Sequence, residues 1–132
     1  RDSDYAHHPA EIAQSVKSVR ELYKDKKITA IFQPHLYTRT RDFYKDFADS
    51  LSLLDEVILT EIYPAREQPI PGVSSRLIYD NLRPGIEKCI CPKEDILNLL
   101  SKKSVEVLIV LGAGDLDNYV PSITQLLEQQ SK

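Results

Sequence analysis

Ile28-Thr29-Ala30-Ile31-Phe32, followed by Gln33-Pro34-His35, is the run on which the fold turns. Its residues are β-branched or apolar without alternation, a polar Asp25-Lys26-Lys27 turn leads into them, and Pro34 stops them. A short apolar run bounded in this way predicts a buried strand. Upstream, Ile12, Val16, Val19 and Tyr23 recur at helical spacing, which puts one apolar stripe on a helix over residues 9–24 with Pro9 in its first turn. Downstream, Phe43, Phe47, Leu51 and Leu54 trace a second stripe, on a helix that Thr38 or Thr40 is placed to cap.

The same alternation continues to the end of the chain. Glu56-Val57-Ile58-Leu59-Thr60 reads as a second strand. Residues 62–75 hold Pro64, Pro69, Pro71 and Gly72 and predict a long loop, of the kind that carries function or moves. Ser74 or Ser75 can cap a short helix that runs to Leu82 and ends at Pro84-Gly85, and residues 86–91 read as a third strand. Pro92 opens a helix carrying Ile96, Leu97, Leu99 and Leu100. Residues 105–111 form the most apolar run and are expected to be a central strand. A sharp Gly112-Ala113-Gly114-Asp115 turn and a last helix over 118–130, with Pro121 in its first turn, complete the pattern. Strands alternating with helices imply an α/β fold, a mainly parallel sheet with helices on both faces. Ligands of such sheets bind at the carboxyl ends of the strands, where His35 to Thr40 and the Gly112 turn both fall.

Composition sets the outer bounds. A chain of 132 residues, 42% apolar and 28% charged, can build one ordinary core, so a single domain over residues 1–132 is expected. The net charge of -3 provides no general drive toward nucleic acid or an anionic membrane. No apolar run approaches the roughly 20 residues that cross a bilayer, and no leader is visible, so a soluble, cytosolic protein is expected. The chain contains no methionine, which points to a piece excised from something larger. Its two cysteines, Cys89 and Cys91, share one face of a strand and read as buried free thiols.

All three histidines lie in two stretches, Asp4-Tyr5-Ala6-His7-His8-Pro9 and the segment from Phe32 to Thr40. Titratable groups gathered near helix starts mark a candidate site. A metal cage is one reading, but adjacent His7 and His8 diverge on most backbones and no dedicated zinc spacing is present. His8 by itself suits a helix-start residue bonded to backbone. Arg39 offers a planar fork near a helix N-terminus and reads as an anion site, whereas Arg41 reads as an ordinary solvated residue. Gly112-Ala113-Gly114 lacks the third glycine of a dinucleotide fingerprint, since Asp117 stands in its place, and reads as a tight turn with a helix cap. The chain has no Gly-x4-Gly-Lys-Ser/Thr phosphate loop, so any ATP phosphates would need a cradle elsewhere.

Four stretches together resemble the C-terminal domain of the Mur ligases: Asp4 to Pro9, Phe32-Gln33-Pro34-His35 with Tyr37-Thr38-Arg39-Thr40, Tyr63-Pro64-Ala65-Arg66-Glu67 with Pro69-Ile70-Pro71-Gly72, and Leu111 to Asp115. They span nearly the whole chain, and His8 with the Phe-Gln-Pro-His block resembles the branch that adds L-alanine. The chain departs from the family pattern at Ser3, where Asp is usual, and at Leu36, where many members carry Arg.

The resemblance implies a Rossmann-like third domain of a cytoplasmic, three-domain ligase of peptidoglycan synthesis. Such an enzyme joins L-alanine to UDP-N-acetylmuramate at the expense of ATP, through an acyl phosphate and a tetrahedral intermediate. UDP-N-acetylmuramate would be held by the first domain and ATP with Mg2+ by the central one, both outside this chain, while the third closes as a lid. It further implies that Asp4 helps complete the nucleotide site, that His7 lies near the reacting phosphate and amine, and that Arg39, His35 and Tyr5 hold the alanine carboxylate. The chain alone is expected to be inactive. The residues without the resemblance support a different reading, a stand-alone anion-binding module or a phosphoesterase using its histidines with a metal.

Overall fold

The computed structural model describes residues 8–112. The first helix, α1 (Pro9–Leu22), starts where Pro9 can contribute no N–H, and its cap is His8, whose Nδ1 accepts the Ala10 N–H at 3.1 Å. His8 is thus the helix-start residue expected of it. Ile12 and Val16 are buried and Val19 packs against them, as their spacing requires, while Tyr23 stands at the end of the helix, 36% exposed.

β1 (Ile28–Gln33) follows, with all six residues buried. The remaining elements are α2 (Tyr37–Leu51), β2 (Glu56–Leu59), α3 (Arg76–Asn81), β3 (Glu87–Ile90), α4 (Ile96–Ser101) and β4 (Val107–Gly112). A 3-10 turn over Lys93–Asp95 leads into α4, as Pro92 requires.

The strands form a parallel sheet in the order β3-β2-β1-β4. Among the described residues the inner place expected of residues 105–111 falls to β1. β1 lies between β2 and β4, whereas β4 ends the order among the described residues and is mostly half-buried. An unbroken apolar run reports cover on both faces of a strand, not its place in the row.

Both faces are covered. Ala30 and Phe32 of β1, Val57 and Leu59 of β2 and Leu111 of β4 face α1, α2 and α3, where Phe32 meets Phe47 with ring centroids 5.2 Å apart. Ile31 and Ile58 turn the other way, toward Cys91 and the Ile96 and Leu100 side chains of α4. Cys89 and Cys91 are free thiols on this second face, and burial pushes the Cys91 thiol up to about 11. Iodoacetamide at neutral pH should label neither cysteine appreciably until the chain is unfolded, since the thiolate is the nucleophile. Rapid labelling of native Cys91 would contradict its enclosure.

The amino edge of the sheet carries a charge network. Buried Glu56 accepts the Thr29 hydroxyl at 3.0 Å and meets Lys103 Nζ at 2.6 Å and Lys27 Nζ at 3.7 Å, while Lys27 also binds Glu87 at 2.8 Å. Glu56→Ala should cost about 2 kcal/mol in urea denaturation, because it strands the Thr29 hydroxyl and removes the counter-charge of two partly desolvated ammonium groups. The pH dependence has a definite sign. Lys27 above all, by its hydrogen bond, holds the Glu87 carboxyl below its ordinary 4.5, so that contribution is complete above the ordinary range and fades as acid protonates the folded state. Hydrogen bonds to Glu87 and Glu56 raise Lys27 and Lys103 respectively above 10.5, so their contribution holds below that value and fades at higher pH.

Candidate functional site

The carboxyl end of β1 runs directly into the candidate site. After Gln33 and Pro34, His35 makes an isolated parallel bridge to Tyr63 of the long loop, and the two rings stack at 5.7 Å with 15° between their planes. The bridge is fixed by backbone: Tyr63 N–H donates to Pro34 O and Leu36 N–H donates to Tyr63 O, each at 2.9 Å.

Leu36 is the N-cap of α2 and has φ 75 and ψ 138, a conformation that favours glycine. Its surroundings hold it there. The Leu36 carbonyl takes both the Thr40 N–H at 3.2 Å and the Thr40 hydroxyl at 2.8 Å. Neither Thr38 nor Thr40 is the N-cap, which corrects the sequence reading: Leu36 holds that position and supplies no capping side chain. The anion at the helix start is Glu67 of the loop. Its Oε1 accepts the N–H of Tyr37 at 2.5 Å and of Thr38 at 3.1 Å, and its Oε2 accepts the Thr38 hydroxyl. Burial raises the Glu67 pKa, but these three donors and Arg41 outweigh it and hold the carboxyl below its ordinary 4.5.

Arg39 sits in the first turn that Glu67 closes. It is half-buried, and its Nη1 is enclosed without a hydrogen-bond partner among the described residues. Arg41 instead pairs with Asp42 at 2.9 Å in solvent, as expected of it. At the helix N-terminus the Tyr37 and Thr38 N–H groups are already taken by Glu67, which leaves the Arg39 guanidinium as the candidate anion site.

β2 leads to a neighbouring pocket of ≈ 190 Å³ between Tyr37, Ile62, Val73 and Ile90, with Glu61 and Arg76 in its wall. Burial pushes the Glu61 pKa up, yet the Thr60 hydroxyl and the Lys93 N–H at 3.2 Å, both donating to Oε1, hold it lower overall. Ser75 does not cap α3 with its side chain; its hydroxyl donates to Thr60 O at 2.5 Å, and Ser74 Oγ accepts the Arg76 N–H at 3.1 Å. β4 ends beside this edge at Gly112, where an added Cβ would lie 2.2 Å from Gln33 O.

Residues 3–116 match the family described as Mur ligase, glutamate ligase domain. The chain belongs to the Mur ligase family.

This Mur ligase domain is 77% identical over 128 residues to a UDP-N-acetylmuramate–L-alanine ligase of Phocaeicola vulgatus, a match covering 97% of this chain and 28% of the relative. It is 57% identical over 127 residues to the enzyme of the same name from Parabacteroides distasonis, covering 96% of this chain and 27% of that relative. It therefore spans little more than a quarter of the length of these relatives. A crystal structure of UDP-N-acetylmuramate-alanine ligase from Thermotoga maritima matches 96% of the chain and 26% of its own, with TM-score 0.70 and 28% identity.

Of the residues expected at the site, the Mur ligase fold brings His35 and Arg39 to the carboxyl edge of β1. Asp4, Tyr5 and His7 lie outside the described residues, as do Ala113 to Asp115 and the expected last helix. His8, the first residue described, has its ring 6.0 Å from Phe43 of α2. Among the described residues no three of His, Cys, Asp and Glu are grouped to hold a metal ion, and no helix is long and apolar enough to cross a membrane.

Sequence reasoning missed one residue, Glu67. The available signal was negative: α2 has no acid in its first turn and a leucine where Ser, Thr, Asp or Asn is usual, so its N-terminal donors needed a partner from elsewhere in the chain.

Proposed function

We propose that this chain is the C-terminal domain of a three-domain, cytoplasmic, ATP-dependent ligase that joins L-alanine to UDP-N-acetylmuramate in peptidoglycan synthesis. The observation that carries the site assignment is the enclosed Arg39 Nη1 without a hydrogen-bond partner among the described residues. A buried guanidinium donor is costly to leave unmet, so it calls for a complementary anion, and a carboxylate matches its fork. The 77% identity to a relative bearing the L-alanine ligase name supports that anion being the carboxylate of L-alanine.

On this reading Arg39, beside His35 and with Tyr5, orients alanine by its carboxylate and leaves the amine free to attack. Fixing the amine within reach of the acyl group supplies much of the rate, since orientation alone removes several kcal/mol of barrier. His7 is placed to donate to developing negative charge or to relay the proton that the amine loses on attack. Asp4 completes the nucleotide site. ATP phosphates and Mg2+ are assigned to the central domain by the family resemblance, and the sequence of this chain has no phosphate loop of its own.

The test is an NMR titration of the labelled chain with L-alanine. Shifts at Arg39 Nε and the His35 ring, absent with ethylamine, are the expected result. Equal shifts with ethylamine, which has no carboxylate, would remove the carboxylate assignment.

A further inference from the structure

The Tyr63 to Glu67 stretch has no role in the reaction as described so far, yet it makes two separate attachments to the start of α2. One is the backbone bridge of Tyr63 to Pro34 and Leu36, and the other is the Glu67 carboxylate on Tyr37 and Thr38. Arg39 follows one position beyond Thr38 in the same turn, half-buried and with its Nη1 enclosed. We propose that Glu67 is a positioning residue for substrate: by closing the first turn of α2 from outside, it fixes the Arg39 guanidinium for the incoming amino acid's carboxylate.

Three observations support this. The helix has no cap of its own, since Leu36 offers no polar side chain and no acid lies in the first turn. Without Glu67 the Tyr37 and Thr38 N–H groups and the Thr38 hydroxyl would lose their acceptor, and a first turn with unmet donors frays. Arg39 is in that turn. Glu67 also fills the place where a helix N-terminus would otherwise bind an anion, so a substrate carboxylate is left to side-chain donors such as the Arg39 guanidinium. Finally, Leu36 is held at φ 75 by bonds to both Tyr63 and Thr40, so loop and helix start form one interlocked unit.

The inference rests on the reading of Arg39 as the carboxylate site, and the experiment separates the two. Glu67→Gln, Glu67→Ala and Arg39→Lys would be compared in the full-length ligase, with KM for L-alanine, KM for ATP and kcat measured for each. Glu67→Gln keeps the size of the side chain and one carbonyl acceptor while removing the charge. It should raise the alanine KM about fivefold and Glu67→Ala about tenfold or more, as expected for losing a charged cap, with the ATP KM within about twofold of wild type. A merely structural role would lower the amount of active enzyme, and so kcat, without this split.

In the chain itself, the amide protons of Tyr37 and Thr38 should titrate together below pH 4.5, the ordinary glutamate value, and lose that titration in Glu67→Gln. Unchanged alanine KM in both Glu67 variants, with Arg39→Lys impaired, would overturn the role of Glu67 and leave Arg39 standing. Unchanged alanine KM in all three would overturn both. If Glu67→Ala fails to fold, the isosteric Glu67→Gln and the amide titration still decide the matter.

Discussion

Replacing Gly112 by alanine is expected to cost the domain about 4 kcal/mol, by the sum of a left-handed backbone penalty and a hard steric clash. Gly112 has φ 97, where an L side chain is strained whatever the space around it. The space is also absent: an ideal Cβ would lie 2.2 Å from Gln33 O, 3.1 Å from Gln33 C and 3.2 Å from Gln33 N. All three are backbone atoms of β1, and Gln33 is the register partner of Gly112, so relief requires the ends of β1 and β4 to separate. The side chain of Gln33 is also fully buried, and its Nε2 donates to Glu61 O at 3.2 Å, so the displacement would spread to the end of β2. Urea denaturation of wild type and variant measures the loss, and a difference under about 1 kcal/mol would show that the strands can part at little cost.

The second large effect separates function from stability. Arg39→Ala in the full-length ligase should lower kcat/KM for L-alanine by about 100-fold or more, since a charged, forked hydrogen-bonding partner of the carboxylate is removed at roughly 3 kcal/mol. The same substitution should leave the unfolding free energy unchanged or slightly higher. Its Nη1 is enclosed without a hydrogen-bond partner among the described residues, so truncation removes an unmet buried donor from the folded state. Residues kept for binding often carry such a stability cost. Parallel measurement of alanine kinetics and urea midpoint checks both halves, and a variant that lost stability but kept its alanine affinity would reverse the assignment.

Glu67 and Arg39 belong to one turn of helix, the first by its hydrogen bonds and the second by its place in the chain. Thr38 connects them, giving its N–H and hydroxyl to Glu67 immediately before Arg39 in the chain. Arg41, two residues further along, is turned to solvent and pairs with Asp42, and acts on this turn only through its charge on Glu67.

Much of the architecture was legible because it rests on local periodicity. Ile12 and Val16 fall on one face of α1, and Phe47 and Leu51 on one face of α2, because residues three and four apart share a helix face. The apolar runs at Ile28 and Val107 became strands covered on both sides for the reason that made them legible, the need to bury side chains pointing both ways. His35 and Arg39 were legible as candidates by their position just past a strand end, where a parallel sheet binds ligands.

The sequence by itself therefore determined the element types, the parallel α/β class, the family motifs and the position of the two candidate site residues at the end of β1. Tertiary structure alone decided which strand sits between the others and which residue closes α2. Strand order is a matter of non-local pairing, and the more apolar run, β4, ends the described order while β1 lies inside it. The cap comes from Glu67, 29 residues beyond Thr38, because the loop folds back and the carboxylate finds donors that no residue near Leu36 could satisfy. Such a contact follows no local period; it exists only once the sheet has brought the ends of β1 and β2 side by side.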